Sequence, residues 1–232
     1  MTARRPGGPQ SIPVPPASRP AGEPLWRDRD ADFSLTAVID TLRTGTSSNK
    51  EPRADEKVSA VLMLLAESES DSGAEILLTR RSSNLTNHRG EISFPGGRVD
   101  AGESIIEAAR RETHEEVGVH PDVVEVHGTL SPLSTFVSRS YIVPVVGTVG
   151  ERPSLTISND EVERAFWVPL RELVRPDTFS WEWWSVPAAD DGERPMFFFH
   201  LDDETVWGAT ARILHELLCR VHGVNHLDLP NW

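Results

Sequence analysis

Residues 97–119 read GRVDAGESIIEAARRETHEEVGV, and this stretch decides how the chain is read. Ser104 followed three residues later by Glu107 has the form of a helix capping box. In such a box the serine accepts from a free backbone N–H and the glutamate reaches back to the cap. Gly102 lets the chain turn into the helix, and Gly118 stands where a glycine commonly ends one. Between them Ile106, Ala109, Thr113 and Val117 recur at helical spacing and predict one buried stripe. At 100° per residue, Glu112, Glu115 and Glu116 fall on a neighbouring sector. Ala108 precedes them by one turn and leaves room above the carboxylates. Arg111, four residues before Glu115, can pair with it along the helix.

Three carboxylates this close repel one another, and a divalent cation removes that cost. Mg²⁺ or Mn²⁺ suits the set, because both prefer oxygen ligands and keep several waters. Such an ion binds a diphosphate, polarises phosphorus and helps deprotonate water. The Gly96–Gly97 turn would bring bare backbone close to it. The plain alternative is a solvated acidic helix face. A capped helix, a glycine turn, an internal arginine and a terminal glycine at set offsets favour the metal site.

The chain has 232 residues, with 23 basic and 36 acidic side chains and a net charge of −13. That balance argues against non-specific nucleic-acid binding or adhesion to an anionic membrane. It leaves room for an anionic small-molecule substrate, since a metal and a few arginines reverse the field inside a cleft. Cys219 is the one cysteine, so no intramolecular disulfide forms, and its apolar surroundings mark it as core. There is no apolar run of membrane-spanning length and no secretory h-region, so a cytoplasmic location is expected.

Residues 1–23, rich in Pro, Gly, Ala and Arg, read as a disordered arm. Residues 24–56 read as an N-terminal helix, over 31–42 with Phe33, Ala37, Val38 and Leu42 inward, followed by a polar linker. The body is expected over 57–222, with 223–232 as a tail. Residues 58–65 and 75–80 predict a strand hairpin. Further strands are expected at 123–130, 141–149 and 161–168, and a late hairpin at 179–184 and 196–201. A short helix is expected near 170–174. The closing helix, near 207–221, would place Ala211, Leu214, Leu217 and Leu218 on its core side. Strands and helices mix without a regular β-α repeat, which predicts the α+β class.

The spacing Gly97, five residues, Glu103, seven residues, Arg111-Glu112-Thr113, one residue, Glu115-Glu116, one residue, Gly118-Val119 resembles the Nudix box. Thr113 departs from it, an aliphatic residue being usual there. The resemblance implies a mixed β-sheet sandwiched between helices and a hydrolase that cuts diphosphates linked to another group. It implies Glu112 and Glu116 as metal ligands, Glu115 as a further or water-mediated one, and the Gly97 carbonyl completing the shell. Arg111 would orient Glu115, and Glu103 would support the helix start. The base is Glu116, or else Glu161 or Glu163, since relatives place it on a loop outside the box.

Before the box the chain reads Leu77-Leu78-Thr79-Arg80-Arg81-Ser82, then Leu85, His88, Gly90 and Phe94-Pro95-Gly96-Gly97. This is similar to the motif of the coenzyme A diphosphatase branch. Echoes follow at Pro144-Val145-Val146-Gly147, Phe166-Trp167-Val168-Pro169-Leu170 and Trp207-Gly208-Ala209-Thr210-Ala211. The resemblance implies Arg80, Arg81 and His88 as substrate contacts. It also implies cleavage of coenzyme A to 4′-phosphopantetheine and adenosine 3′,5′-bisphosphate. Read from the residues alone, Arg80 and Arg81 alternate on a strand, so one can face a cleft while the other pairs with acids. Residues 134–140 lack the proline and glycine usual in that loop, and Arg139 there is either a phosphate contact or surface. ADP-ribose, NADH or an oxidised nucleotide is the rival substrate. A non-catalytic ligand sensor is the rival role, against which the retained carboxylates argue.

Overall fold

The computed structural model describes residues 4–44, 51–69, 73–135, 138–157, 160–185 and 192–226. In chain order it forms β1 (Arg19–Pro20), α1 (Leu35–Thr44), β2 (Lys57–Glu67), β3 (Ala74–Arg81), β4 (Ile92–Ser93) and β5 (Gly96–Arg98). Next come α2 (Ile105–Val117), β6 (Val124–Thr129), β7 (Leu133–Ser134), β8 (Ser140–Val149), β9 (Val162–Pro169) and α3 (Leu170–Leu173). The chain closes with β10 (Phe179–Ser185), β11 (Glu193–His200), β12 (Thr205–Val206) and α4 (Gly208–Val221). The larger sheet runs β4-β3-β2-β8-β6, with β5 on β2, β7 on β8 and β9 on β3. It is mixed, because β2 and β8 run parallel, Ala60 opposite Val143, while the other pairs are antiparallel.

Alternation along β2 builds a core on each face of this sheet. Leu62, Leu64 and Ala66 join Ala108, Ala109 and Val117 of α2 on one side. Met63 and Leu65 join Val38, Ile39 and Leu42 of α1 and Leu214, Leu217 and Leu218 of α4 on the other. The sheet is therefore sandwiched between helices, as the α+β reading expects. Phe197 and Phe199 of the second, antiparallel sheet (β1-β10-β11-β12) pack into that same core.

Three expectations are corrected. Residues 4–23 are not a free arm in the structure. The Arg5 guanidinium pairs with Glu172 at 2.8 Å and Asp202 at 2.7 Å, and β1 adds to the edge of β10. A proline-rich composition limits internal structure but leaves carbonyls and arginines free to bond elsewhere. α1 begins at Leu35, four residues later than the apolar pattern suggests, where the Ser34 hydroxyl accepts from the Ala37 N–H. The buried face of α2 is turned toward Glu116. Ala108, Ala109, Thr113, Glu116 and Val117 are buried, Ile105 packs against them, and Ile106 in the first turn is 38% exposed. Linker residues 45–50, loop residues 136–137, hairpin residues 186–191 and tail residues 227–232 lie outside the described residues.

Candidate active site

The α2 capping box forms as its sequence predicts. The Glu107 N–H donates to the Ser104 hydroxyl at 3.2 Å, and the Ser104 N–H donates to the Glu107 carboxylate at 2.8 Å. Gly118, at φ 76°, ends the helix by donating to the His114 carbonyl. α2 is thereby held at both ends across the Gly96–Gly97 turn of β5.

Two carboxylates of the helix meet that turn. Glu116 accepts from the Gly96 N–H at 3.2 Å. The Glu112 carboxylate lies over Gly97, so closely that a Cβ there would fall 2.4 Å from the carboxyl carbon. Gly96 is constrained too, with φ 151° and no room for a Cβ beside the Ala60 carbonyl of β2. Burial pushes the Glu116 carboxyl up to about 7, and repulsion from Glu112 and Glu161 adds to the effect. The Gly96 N–H and the Arg81 charge oppose it. Burial also raises Glu112, against the pull of Arg111.

Arg111 organises the acidic face. Its Nε and Nη2 donate to the two Glu103 oxygens at 2.8 and 3.0 Å. Its Nη1 donates to Glu112 at 2.9 Å and Glu115 at 3.2 Å, and its Nη2 to the Arg98 carbonyl at 3.1 Å. The fork holds the Glu103 carboxyl below the usual carboxylate range. Pairing with Glu115 is as the helix spacing predicts, but the bidentate partner is Glu103.

Among the described residues, no three carboxylate, imidazole or thiolate side chains lie together as a ready-made ion cage. The donor set still fits a hard divalent cation of the magnesium type. Such ions take one or two carboxylates, waters and substrate phosphates, and seldom an all-protein cage. Glu112 and Glu116 supply two carboxylates against bare backbone, and ionising both there is costly without a cation.

A cavity of about 470 Å³ opens beside this turn. Arg81, His88, Gly97 and Arg98 line one side. Val61, Phe94, Ile142, Met196 and Trp207 make its apolar wall. Arg80 and Arg81 part company here. Arg80 pairs with the fully buried Glu204 at 3.4 Å and with Glu163 at 3.8 Å. Arg81 lines the cavity, and its buried Nε has no hydrogen-bond partner among the described residues. The β3–β9 register shifts between these two residues. His88, at φ 56°, bonds Glu91 at 2.9 Å, which raises its pKa. Arg139 pairs with Asp55 at 3.3 Å on the surface. Of the outlying base candidates, Glu161 bears on Glu112 and Glu116 electrostatically, whereas Glu163 turns to Arg80.

The sequence reading missed Glu204, a buried carboxylate that joins Arg80, Arg164 and the Gln10 amide in one cluster. An isolated Asp-Asp-Glu triplet carries no local signal for that role. Cys219 is fully buried, its thiol pushed up to about 12, as a core cysteine should be.

The family model described as NUDIX domain matches residues 56–189. The chain belongs to the Nudix family. It is 32% identical over 188 residues to Nudix hydrolase 3 of Caenorhabditis elegans, which covers 74% of this chain and 78% of that protein. A Photorhabdus laumondii relative described as uncharacterized Nudix hydrolase NudL is 38% identical over 148 residues, covering 63% of this chain and 76% of its own. The crystal structure of a MutT/nudix family protein from Enterococcus faecalis superposes with a TM-score of 0.50 at 20% identity. The match covers 81% of this chain and 69% of that one, and it speaks to the fold alone. Nudix family members are hydrolases acting on pyrophosphate bonds of nucleoside diphosphate derivatives, and they generally use divalent metal ions. No helix among the described residues of this Nudix protein is long and apolar enough to cross a membrane.

Proposed function

We propose that this Nudix protein hydrolyses the diphosphate of coenzyme A or its derivatives. The products would be 4′-phosphopantetheine, or its acyl form, and adenosine 3′,5′-bisphosphate. The observation that carries this reading is Arg81. It comes from the motif shared with the coenzyme A branch and lines a cavity that also reaches Gly97, its buried Nε without a hydrogen-bond partner among the described residues. A guanidinium so placed matches phosphate oxygens. The apolar wall suits the uncharged parts of the substrate.

Glu112 and Glu116 would hold Mg²⁺ or Mn²⁺, with Glu115 and the Gly97 backbone beside them. The bound ion would polarise the diphosphate and acidify a water. Arg111 keeps Glu112 and Glu115 oriented through its fork. We assign proton removal from the attacking water to Glu161, because Glu116 is a ligand in this scheme and Glu163 is paired with Arg80. His88, which lines the cavity and bonds Glu91, would donate to a phosphate oxygen of the substrate.

The test is product analysis by mass-resolved chromatography with Mg²⁺ or Mn²⁺. Coenzyme A, acetyl-coenzyme A, ADP-ribose, NADH and an oxidised dGTP are offered in parallel. Metal-dependent release of adenosine 3′,5′-bisphosphate, fastest from the coenzyme A species, is expected. Faster cleavage of any other substrate overturns the assignment. Glu161→Gln should lower kcat at least 100-fold with little change in metal affinity, and an unchanged kcat removes Glu161 from the role.

A further inference from the structure

The mouth of α4 is chemically unlike the apolar wall around it. Trp207, the residue before the helix, offers no side-chain cap. The N–H groups of Gly208, Ala209 and Thr210 find no acceptor among the described residues. Gly208 has φ +64°, and a Cβ there would meet nothing within 4 Å, so bare backbone faces open space. All three residues line the cavity that also reaches Arg81 and Gly97.

A free helix start attracts anions only modestly by itself. Here a second feature points the same way. Thr210 is 8% exposed and lines the cavity, yet its hydroxyl has no hydrogen-bond partner among the described residues. A hydroxyl left unbonded on the cavity wall has a proton to donate to a ligand oxygen there. Two residues on, Arg212 also lines the cavity. Burial lowers its pKa to about 10, which leaves it cationic at neutral pH. Free N–H groups, a hydroxyl and a guanidinium make a site that accepts a compact dianion.

We propose that the N-terminus of α4 is a second anion site, which receives a phosphate monoester carried by the substrate in addition to the diphosphate that is cleaved. This rests on the coenzyme A reading above and names the residues that would tell a 3′-phosphorylated substrate from one lacking that group. Thr210 Oγ, the Gly208–Thr210 backbone and Arg212 hold the monoester. The Gly97 end of the cavity holds the diphosphate.

The experiment compares kcat/KM for coenzyme A and 3′-dephospho-coenzyme A, which share the scissile diphosphate. The wild-type protein should favour coenzyme A at least tenfold, chiefly through KM. Thr210→Val should cut that ratio about tenfold, the order expected for one hydrogen bond to a charged group. Thr210→Ser should retain it, and Arg212→Met should collapse it. Thr210→Val is nearly isosteric, so it keeps the test open where Arg212→Met fails to fold. Equal use of the two substrates by the wild type overturns this inference and leaves the coenzyme A reading standing. Cleavage of neither substrate overturns that reading, and calorimetry then decides the subsite. Adenosine 3′,5′-bisphosphate binding tighter than adenosine 5′-monophosphate, with the difference lost in Thr210→Val, upholds it. Equal binding of the two nucleotides refutes it.

Discussion

Glu116→Gln separates what this position does for the fold from what it does for the reaction. The carboxyl is buried against the β5 turn and accepts from the Gly96 N–H, a bond that a glutamine amide oxygen can also accept. A shift from 4.5 to about 7, at about 1.4 kcal/mol per unit, places roughly 3 kcal/mol against the ionised form. The sign follows from the direction of the shift. Below pH 4.5 the carboxyl is protonated in both folded and unfolded chains, and no penalty exists. Between 4.5 and about 7 the unfolded chain ionises first, so stability falls as pH rises, and above 7 the full penalty is present.

Urea unfolding in EDTA at pH 5 and pH 8 measures this. The wild type should lose stability across that interval, while Glu116→Gln should lose much less. A small slope should persist in the variant, because Glu112 is shifted in the same direction. At pH 8 without metal the variant should be the more stable protein, and Mg²⁺ should close the gap by favouring the wild-type carboxylate. Turnover should be lost in the variant at every pH. Parallel stability curves for the two proteins in EDTA would refute the buried-charge argument. Near-normal turnover would remove Glu116 from the site.

Gly97→Ala would place a methyl 2.4 Å from the Glu112 carboxyl carbon and displace that side chain. A fall in kcat/KM of about 10- to 100-fold is expected, with a higher Mg²⁺ requirement, and wild-type kinetics would count against Glu112 as a ligand. Deleting residues 1–10 removes the Arg5 pairs and the Gln10 amide bonds to Glu204 at 2.6 Å and the Gly90 carbonyl at 3.0 Å. The urea midpoint should drop by the equivalent of about 1–3 kcal/mol, and KM should rise because Gly90 lies in the loop that carries His88. An unchanged midpoint would show that the segment's docking is inconsequential. Cys219 should resist thiol reagents in the native protein and react promptly in urea, so rapid native labelling would contradict its placement in the core.

The sequence by itself determined what is local. The α2 capping box, the glycine at its end, the reach of Arg111 to Glu115 and the strand periods were legible because each depends on neighbours a few residues away. Tertiary structure alone decided what depends on distant partners. Arg80 and Arg81 are adjacent and chemically alike, and the β3–β9 register sends one to Glu204 and leaves the other in the cavity. Glu161 and Glu163 are likewise equivalent on paper, and only the packing of β9 against β3 turns Glu163 to Arg80. The N-terminal segment carries no helical or strand pattern of its own, so its docking is set by acceptors and acids 80 or more residues away. Thr210 reads as an ordinary helix residue until the fold sets α4 and the Gly97 turn around one cavity, where its hydroxyl has no hydrogen-bond partner among the described residues.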